Sequence, residues 1–164
     1  MRLRSSFALA LAILAIAVAS IAGAFVFEAL GYAPCELCLK ERIPYYAAIP
    51  VAGFAVLFAA RSSKTFLRAA FVCLALIFAA SAIFGAYHAG IEWGFWPGPN
   101  DCSGLLDRAR SVEDFLHQLQ SVKVTRCHVP ALRVLGLSLA GWNALISAGL
   151  SALAVVGLRA KLQP

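Results

Sequence analysis

Five cysteines are the residues of this chain best suited to chemistry, and four of them form two pairs. Cys35 and Cys38 make a C-x-x-C motif directly after Pro34, while Cys102 and Cys127 lie 25 residues apart. A C-x-x-C pair can hold a disulfide, cycle between dithiol and disulfide, or supply half of a zinc site. Four cysteines permit three pairings, so the spacing alone leaves the connectivity open.

A helix that begins at the C-x-x-C motif would activate its thiols. Pro34 suits the approach to a helix, and Cys35, Cys38 and Arg42 then share one face at positions i, i+3 and i+7. The positive end of the helix dipole at Cys35 and the guanidinium one turn from Cys38 both favour thiolate over thiol. We therefore predict a redox role for this pair, and inert packing for the fifth cysteine, Cys73, in its apolar surroundings.

The elements that must position these cysteines are membrane helices. Apolar residues make up 62% of the 164 residues and charged residues only 13%, too extreme for a soluble domain. Four stretches free of charged residues are long enough to cross the hydrocarbon as helices, namely 5–27, 43–60, 69–91 and 134–158. The predicted fold class is an all-α membrane protein, a single-domain four-transmembrane-helix bundle over 1–164. Its spans are expected at about 7–27, 43–60, 69–88 and 137–158.

The distribution of basic residues predicts the orientation of the bundle. The N-terminus, the turn at 61–68 and the C-terminal tail carry seven basic residues and no acidic one, which places them in the cytoplasm. The loops at 28–42 and 89–136, which hold both cysteine pairs, then face the oxidising outer side. The first span is predicted to be a retained helix rather than a cleaved leader. The net charge is +6, but the basic residues flank the spans instead of forming one basic face, so no nucleic-acid partner is expected.

The second outward loop contains one further predicted element. Ser111 can cap a helix over 111–120 whose apolar residues recur with helical spacing. Such a short amphipathic helix either lies flat on the membrane or packs on the ends of the spans.

These residues together resemble the DsbB disulfide-bond formation proteins of bacterial inner membranes. The resemblance rests on the motif C-x-x-C-x-x-E-R at 35–42, on the widely spaced cysteine pair of the second outward loop, and on four spans. Tyr87-His88 near the end of the third span and the motif G-L-x-x-x-G-W at 136–142 extend it over nearly the whole chain.

The resemblance implies a membrane thiol:quinone oxidoreductase of the bacterial inner membrane, with both termini cytoplasmic. Its partners would be a periplasmic DsbA-like thioredoxin-fold protein, the lipid bilayer, and ubiquinone or menaquinone as electron acceptor. Cys102 would form a mixed disulfide with the protein partner, and Cys127 would then pair transiently with Cys35. This exchange would free Cys38 to reduce the quinone.

The resemblance also implies roles for two polar residues beside the cysteines. Arg42 would stabilise the Cys38 thiolate and the developing quinol oxyanion. His88 would lie near the quinone and hydrogen-bond its carbonyl. His128, next to Cys127, is either solvated or lowers the pKa of that thiol. No metal is expected, and the chain has no G-x-G-x-x-G or P-loop motif for a nucleotide.

Three other functions fit the cysteine pattern. A four-span scaffold would use both pairs as structural disulfides. A metal-binding protein would use the four thiolates together, with His128 as a further candidate ligand. An oxidase of the vitamin K epoxide reductase type would share the chemistry, but that family usually places its C-x-x-C late in the chain, whereas Cys35 comes early.

Overall fold

Four α-helices and one β-hairpin form the part of the chain that the computed structural model describes, residues 2–58, 64–99, 111–113 and 127–159. The helices are α1 (Arg2–Ala29), α2 (Glu36–Phe58), α3 (Lys64–Glu92) and α4 (Leu139–Arg159). The strands are β1 (Arg133–Val134) and β2 (Leu137–Ser138). Three helices are long and apolar enough to cross a membrane, over Ser6–Ala29, Thr65–Glu92 and Leu139–Arg159. The predicted class of helical membrane protein is therefore confirmed.

Helix α2 is not among these candidate spans, and its first seven residues include four charged ones, namely Glu36, Lys40, Glu41 and Arg42. Its described apolar part, residues 43–58, is about 24 Å long at 1.5 Å per residue. That length is short of the ~30 Å of hydrocarbon in a typical bilayer. A fourth span at 43–60 therefore remains a prediction. Of the amphipathic helix predicted at 111–120, the residues after 113 lie outside the described part of the chain.

The core of the bundle combines many small residues with a few large apolar ones, and other large apolar side chains lie on the outside. Ala10, Ala17, Ala48, Ala52 and Ala154 are buried in the shared core. Small residues let membrane helices approach closely, since lipid offers no hydrophobic drive for them to associate. Other large apolar side chains point outward, with Leu57, Ile83 and Leu76 exposed by 73%, 71% and 66%. This arrangement suits a bundle surrounded by lipid.

Helices α3 and α4 form the most extensive pair, because glycines remove bulk where they meet. A Cβ on Gly157 would come within 2.5 Å of the Phe71 ring, and one on Gly85 within 3.0 Å of the Ala144 backbone nitrogen. Both glycines are therefore required by close approach rather than by backbone conformation. The pairing holds the outer end of α3 against α4.

The hairpin leads directly into α4 and explains the G-L-x-x-x-G-W motif. Residues Leu135 and Gly136 have φ of 53° and 83°, the left-handed values of a tight hairpin turn in which glycine is favoured. Ser138 Oγ accepts a hydrogen bond from the Gly141 amide at 3.2 Å and so caps α4. Trp142 Nε1 donates to the Val134 carbonyl at 3.0 Å, which fastens the hairpin to the helix.

Candidate active site

Cys35 caps the N-terminus of α2. Its carbonyl accepts the first hydrogen bond of the helix from the Leu39 amide at 3.1 Å, and its Sγ accepts one from the Cys38 amide at 3.2 Å. The sulfur therefore occupies the position of an N-cap acceptor, where the helix dipole favours negative charge. The predicted helix start at the C-x-x-C motif is correct to within one residue.

The two thiols of the motif share one proton. Their Sγ atoms are 2.7 Å apart, and both cysteines are free. The hydrogen bond from Cys38 lowers the pKa of Cys35 to about 5, against burial, which raises it, and a further bond to His88 lowers it as well. The same bond to Cys35, together with burial, raises the pKa of Cys38. The prediction that both thiols favour thiolate is therefore right for Cys35 and wrong for Cys38, because Cys38 keeps the shared proton.

His88 connects the motif to a buried carboxylate. It is 1% exposed, with Nε2 3.6 Å from Cys35 Sγ and Nδ1 2.7 Å from Glu41 Oε1. An imidazole between a thiolate and a carboxylate can donate from both nitrogens, which fixes its orientation. His88 thus contacts Cys35 and is not among the residues that line the cavity described below.

A chain of hydrogen bonds continues from Glu41 into the bundle. Asn143 Nδ2 donates to Glu41 Oε2 at 2.9 Å, and the Tyr45 hydroxyl donates to Asn143 Oδ1 at 2.7 Å. Tyr45 is also 3.0 Å from Ser147 Oγ, which lies 3.0 Å from Ser81 Oγ. Polar groups inside a membrane bundle bond to one another because lipid offers them no partner. The network joins α2, α3 and α4 around the site.

Arg42 faces α1. Its guanidinium nitrogen Nη1 is 2.9 Å from Glu28 Oε2, and its Cζ lies 5.1 Å from the centre of the Phe25 ring. These contacts set the direction of the guanidinium, and Arg42 lines the same cavity as Cys38. The cation is thus placed next to the space that Cys38 faces.

A cavity of about 380 Å³ lies between α1, α2, α4 and the hairpin. Its walls are mainly apolar, and several of its polar lining residues lie in or near the motif: Cys38, Glu41, Arg42, Tyr45 and Asn143. The volume is within the usual range for small-molecule sites, which are mostly apolar with a few converging polar groups. Cys38 is therefore the sulfur that a molecule in this cavity would meet.

Cys127, in the second outward segment, is buried beside the motif. It packs in one small cluster with Cys35, Leu37 and Ile91, and it is disulfide-bonded. Cys102 lies outside the described residues. Cys73 is free and exposed on α3, and its lack of a reactive role stays a prediction.

Comparisons with known proteins identify the family. The model for the disulfide bond formation protein DsbB matches residues 5–157. The chain belongs to the DsbB family. It is 36% identical over 134 residues to Disulfide bond formation protein B 1 of Pseudomonas savastanoi pv. phaseolicola, covering 77% of this chain and 74% of that protein. It is 25% identical over 140 residues to an uncharacterised protein of Rickettsia prowazekii, covering 84% and 78%. No solved structure matches the chain significantly.

Membership of the DsbB family assigns this membrane protein to disulfide bond formation. The sequence analysis quoted Glu41 as part of the motif but gave it no role, and it overlooked Asn143 and Tyr45. The available signal was the presence of polar side chains within or next to apolar stretches, since such groups in a membrane helix usually bond to one another.

Proposed function

We propose that this chain is an inner-membrane thiol:quinone oxidoreductase. It would reoxidise a periplasmic DsbA-like dithiol protein and pass the electrons to ubiquinone or menaquinone. The observation that carries the proposal is the Cys35–Cys38 dithiol, whose second sulfur faces a mainly apolar cavity between helices. A lipid-soluble acceptor can enter such a cavity from the bilayer.

The residues around the cavity suit a quinone ring. The walls are apolar, as a ring with an isoprenoid tail requires, and Arg42 supplies N–H donors for a carbonyl oxygen that gains negative charge. When bound, the quinone would accept two electrons and two protons. The Cys38 thiol at the cavity wall would supply one of these protons and solvent the other, while His88 contacts the Cys35 sulfur and Glu41 holds His88 in place.

The four outward cysteines provide a balanced electron route. One thiolate of the partner attacks the Cys102–Cys127 disulfide at Cys102, and the partner's second thiol resolves this mixed disulfide, leaving the partner oxidised. Cys127 then attacks Cys35 of the Cys35–Cys38 disulfide and expels Cys38. Cys102 attacks Cys127 in turn and expels Cys35, which restores the loop disulfide and leaves the motif as a dithiol. The packing of Cys127 against Cys35 supports this exchange.

The proposal includes a topology. Both termini lie in the cytoplasm, α2 crosses the bilayer as a fourth span, and the whole chain forms one membrane domain. One side of the bundle carries seven basic residues and no acidic one, which supports this orientation. A reporter enzyme fused after Pro164 should be active only if it functions in the cytoplasm. Activity of a periplasmic reporter at that position would contradict the topology.

Anaerobic mixing tests the function directly. Purified protein, reduced partner and quinone are combined, and the quinone absorbance is followed. Cys38→Ser should abolish quinone reduction, and Cys102→Ser should block turnover of the partner. Cys73→Ser is the matched control, because this free thiol is exposed on α3. If the first two variants turn over at the wild-type rate, the assignment is wrong. A structural scaffold would show no turnover in any of these proteins.

A further inference from the structure

Three ligand atoms of the kind that zinc prefers converge at the reduced site. The sulfurs of Cys35 and Cys38 and the imidazole nitrogen of His88 lie within 4.8 Å of one another. We propose that the dithiol form binds one thiophilic divalent cation, such as Zn²⁺, through Cys35 Sγ, Cys38 Sγ and His88 Nε2, and that the bound cation blocks electron transfer. This goes beyond the proposed function, which needs no metal.

The distances between the ligand atoms are close to those of a tetrahedral site. Zn–S bonds of about 2.3 Å and Zn–N bonds of about 2.0–2.1 Å place a sulfur and a nitrogen about 3.6 Å apart, and two sulfurs about 3.8 Å apart. Cys35 Sγ and His88 Nε2 are already separated by 3.6 Å. The two sulfurs are 2.7 Å apart, so the Cys38 side chain must move by about 1 Å. It borders the cavity, which leaves it room to do so.

The groups behind His88 match the surroundings of a zinc ligand. A ligating histidine generally donates its second N–H to a carboxylate, which fixes the ring and makes it a stronger ligand. Here Nδ1 is 2.7 Å from Glu41 Oε1, and Asn143 holds the other carboxylate oxygen at 2.9 Å. The imidazole is therefore already fixed with Nε2 directed at the sulfurs.

The electrostatic surroundings also favour a cation. Glu92 follows His88 by one helical turn on α3 and interacts electrostatically with His88 and Cys35. Its Oε2 is buried and has no hydrogen-bond partner among the described residues. A buried carboxylate oxygen without a partner calls for an explanation, and a nearby bound cation would provide one. Three protein ligands leave the fourth position of a tetrahedral ion for water.

Metal binding at this site must depend on the redox state. The cation replaces the proton that Cys38 carries and the proton on His88 Nε2, and the Cys35 sulfur binds as the thiolate, so protons are released and no electrons move. Formation of the Cys35–Cys38 disulfide removes both sulfur ligands. Conversely, sulfurs held by the cation cannot close to a disulfide until it leaves. Zn²⁺ should therefore slow quinone reduction reversibly.

The experiment titrates the full-length protein in detergent with Co²⁺ and then Zn²⁺. The protein is first reduced with a phosphine, which is removed anaerobically. We expect one equivalent of Co²⁺ with a thiolate charge-transfer band that Zn²⁺ displaces, and no band for the oxidised protein. His88→Ala should weaken binding by about tenfold or more. His128→Ala is the matched control, because this exposed histidine lies next to Cys127 and should not affect binding.

Several outcomes would overturn the site. These are no band in the reduced protein, equal binding by the oxidised protein, or loss of binding in His128→Ala or in the double variant Cys102→Ser/Cys127→Ser. The last result would point to the four-thiolate site instead. If His88→Ala does not fold, Glu41→Gln replaces it, with weakening of about 10–100-fold expected. Quinone reduction is measured separately in chelator, so a failure of this site and a failure of the proposed function are distinguishable.

Discussion

Replacing Glu41 with glutamine tests whether the buried carboxylate positions His88 against Cys35. Glu41 accepts two hydrogen bonds, from His88 at 2.7 Å and from Asn143 at 2.9 Å. Glutamine has one acceptor oxygen, so one donor loses its partner and faces an NH₂ group. A hydrogen bond to a charged group contributes about 1.5–3 kcal/mol. If this is lost in the transition state, dithiol oxidation by quinone should slow by about 10–150-fold.

The assay is quinone absorbance under anaerobic conditions with chelator present, giving kcat and KM separately. A positioning role predicts that Glu41→Gln lowers kcat, leaves KM for quinone nearly unchanged and moves the pH profile upward, because His88 no longer favours the Cys35 thiolate. Partial unfolding would instead lower the active fraction without moving that profile. Glu36→Gln is the matched control, since Glu36 pairs with Lys40 at 2.7 Å on the exposed surface of the same helix. Such pairs contribute about 0–1 kcal/mol, so a change near twofold is expected. Equal rates for Glu41→Gln and wild type would refute the reasoning.

Three further predictions concern the thiolate, the polar network and the loop after α3. The pKa of Cys35 is lowered from 9.0 to about 5. Thiolate absorbance should therefore persist as the pH falls from 9 and disappear only near 5. It is measured in the reduced, metal-free protein, with Cys35→Ser as the reference. Stabilisation of the folded state by this thiolate is lost over the same range, and a loss of absorbance near 9 would contradict the assignment. Tyr45→Phe should lower the free energy of unfolding by about 1 kcal/mol, because two hydrogen bonds of the hydroxyl disappear. The change is measured as a lower thermal midpoint in detergent. Gly90→Ala should displace the Trp96 ring, which a Cβ would meet at 2.1 Å, and change its fluorescence, whereas Gly53→Ala meets nothing within 4 Å and should not.

The helices were predictable because membrane spans are encoded locally. A run of about 20 apolar residues must form a helix in lipid whatever it packs against, and α1, α3 and α4 follow that rule. The start of α2 was predictable for another local reason, since Pro34 and the following cysteine mark a helix N-terminus. The class of protein and the start of α2 at the C-x-x-C motif therefore follow from residue type and spacing alone.

The contacts of the site were not predictable, because they depend on how the helices rotate against one another. Glu41 meets His88 and Asn143, residues that are 47 and 102 positions away along the chain. Nearly uniform apolar helices have no polar face that would reveal this rotation. The same uncertainty affected Arg42, whose contacts with Glu28 and Phe25 on α1 were not predicted, while its role beside Cys38 stays a prediction. The spacing of residues along the sequence identified candidate site residues, whereas the packing of the helices determined which side chains they contact.

The unequal thiols also bear on the direction of electron flow. Lowering the pKa of Cys35 from 9.0 to about 5 stabilises the reduced pair at pH 7 by about 3 kcal/mol, while Cys38 is protonated at that pH in any case. For two electrons this makes the couple about 60 mV more oxidising. A lower pKa also makes Cys35 the better leaving group when the Cys127–Cys35 bond is resolved. In the proposed exchange, both effects would help the site to take electrons from the dithiol of a partner whose own dithiol/disulfide couple is strongly oxidising. The same effects make the reduced Cys35–Cys38 pair a weaker electron donor, so only an acceptor of still higher potential can oxidise it. The cavity beside Cys38 gives a lipid-dissolved acceptor access to that sulfur.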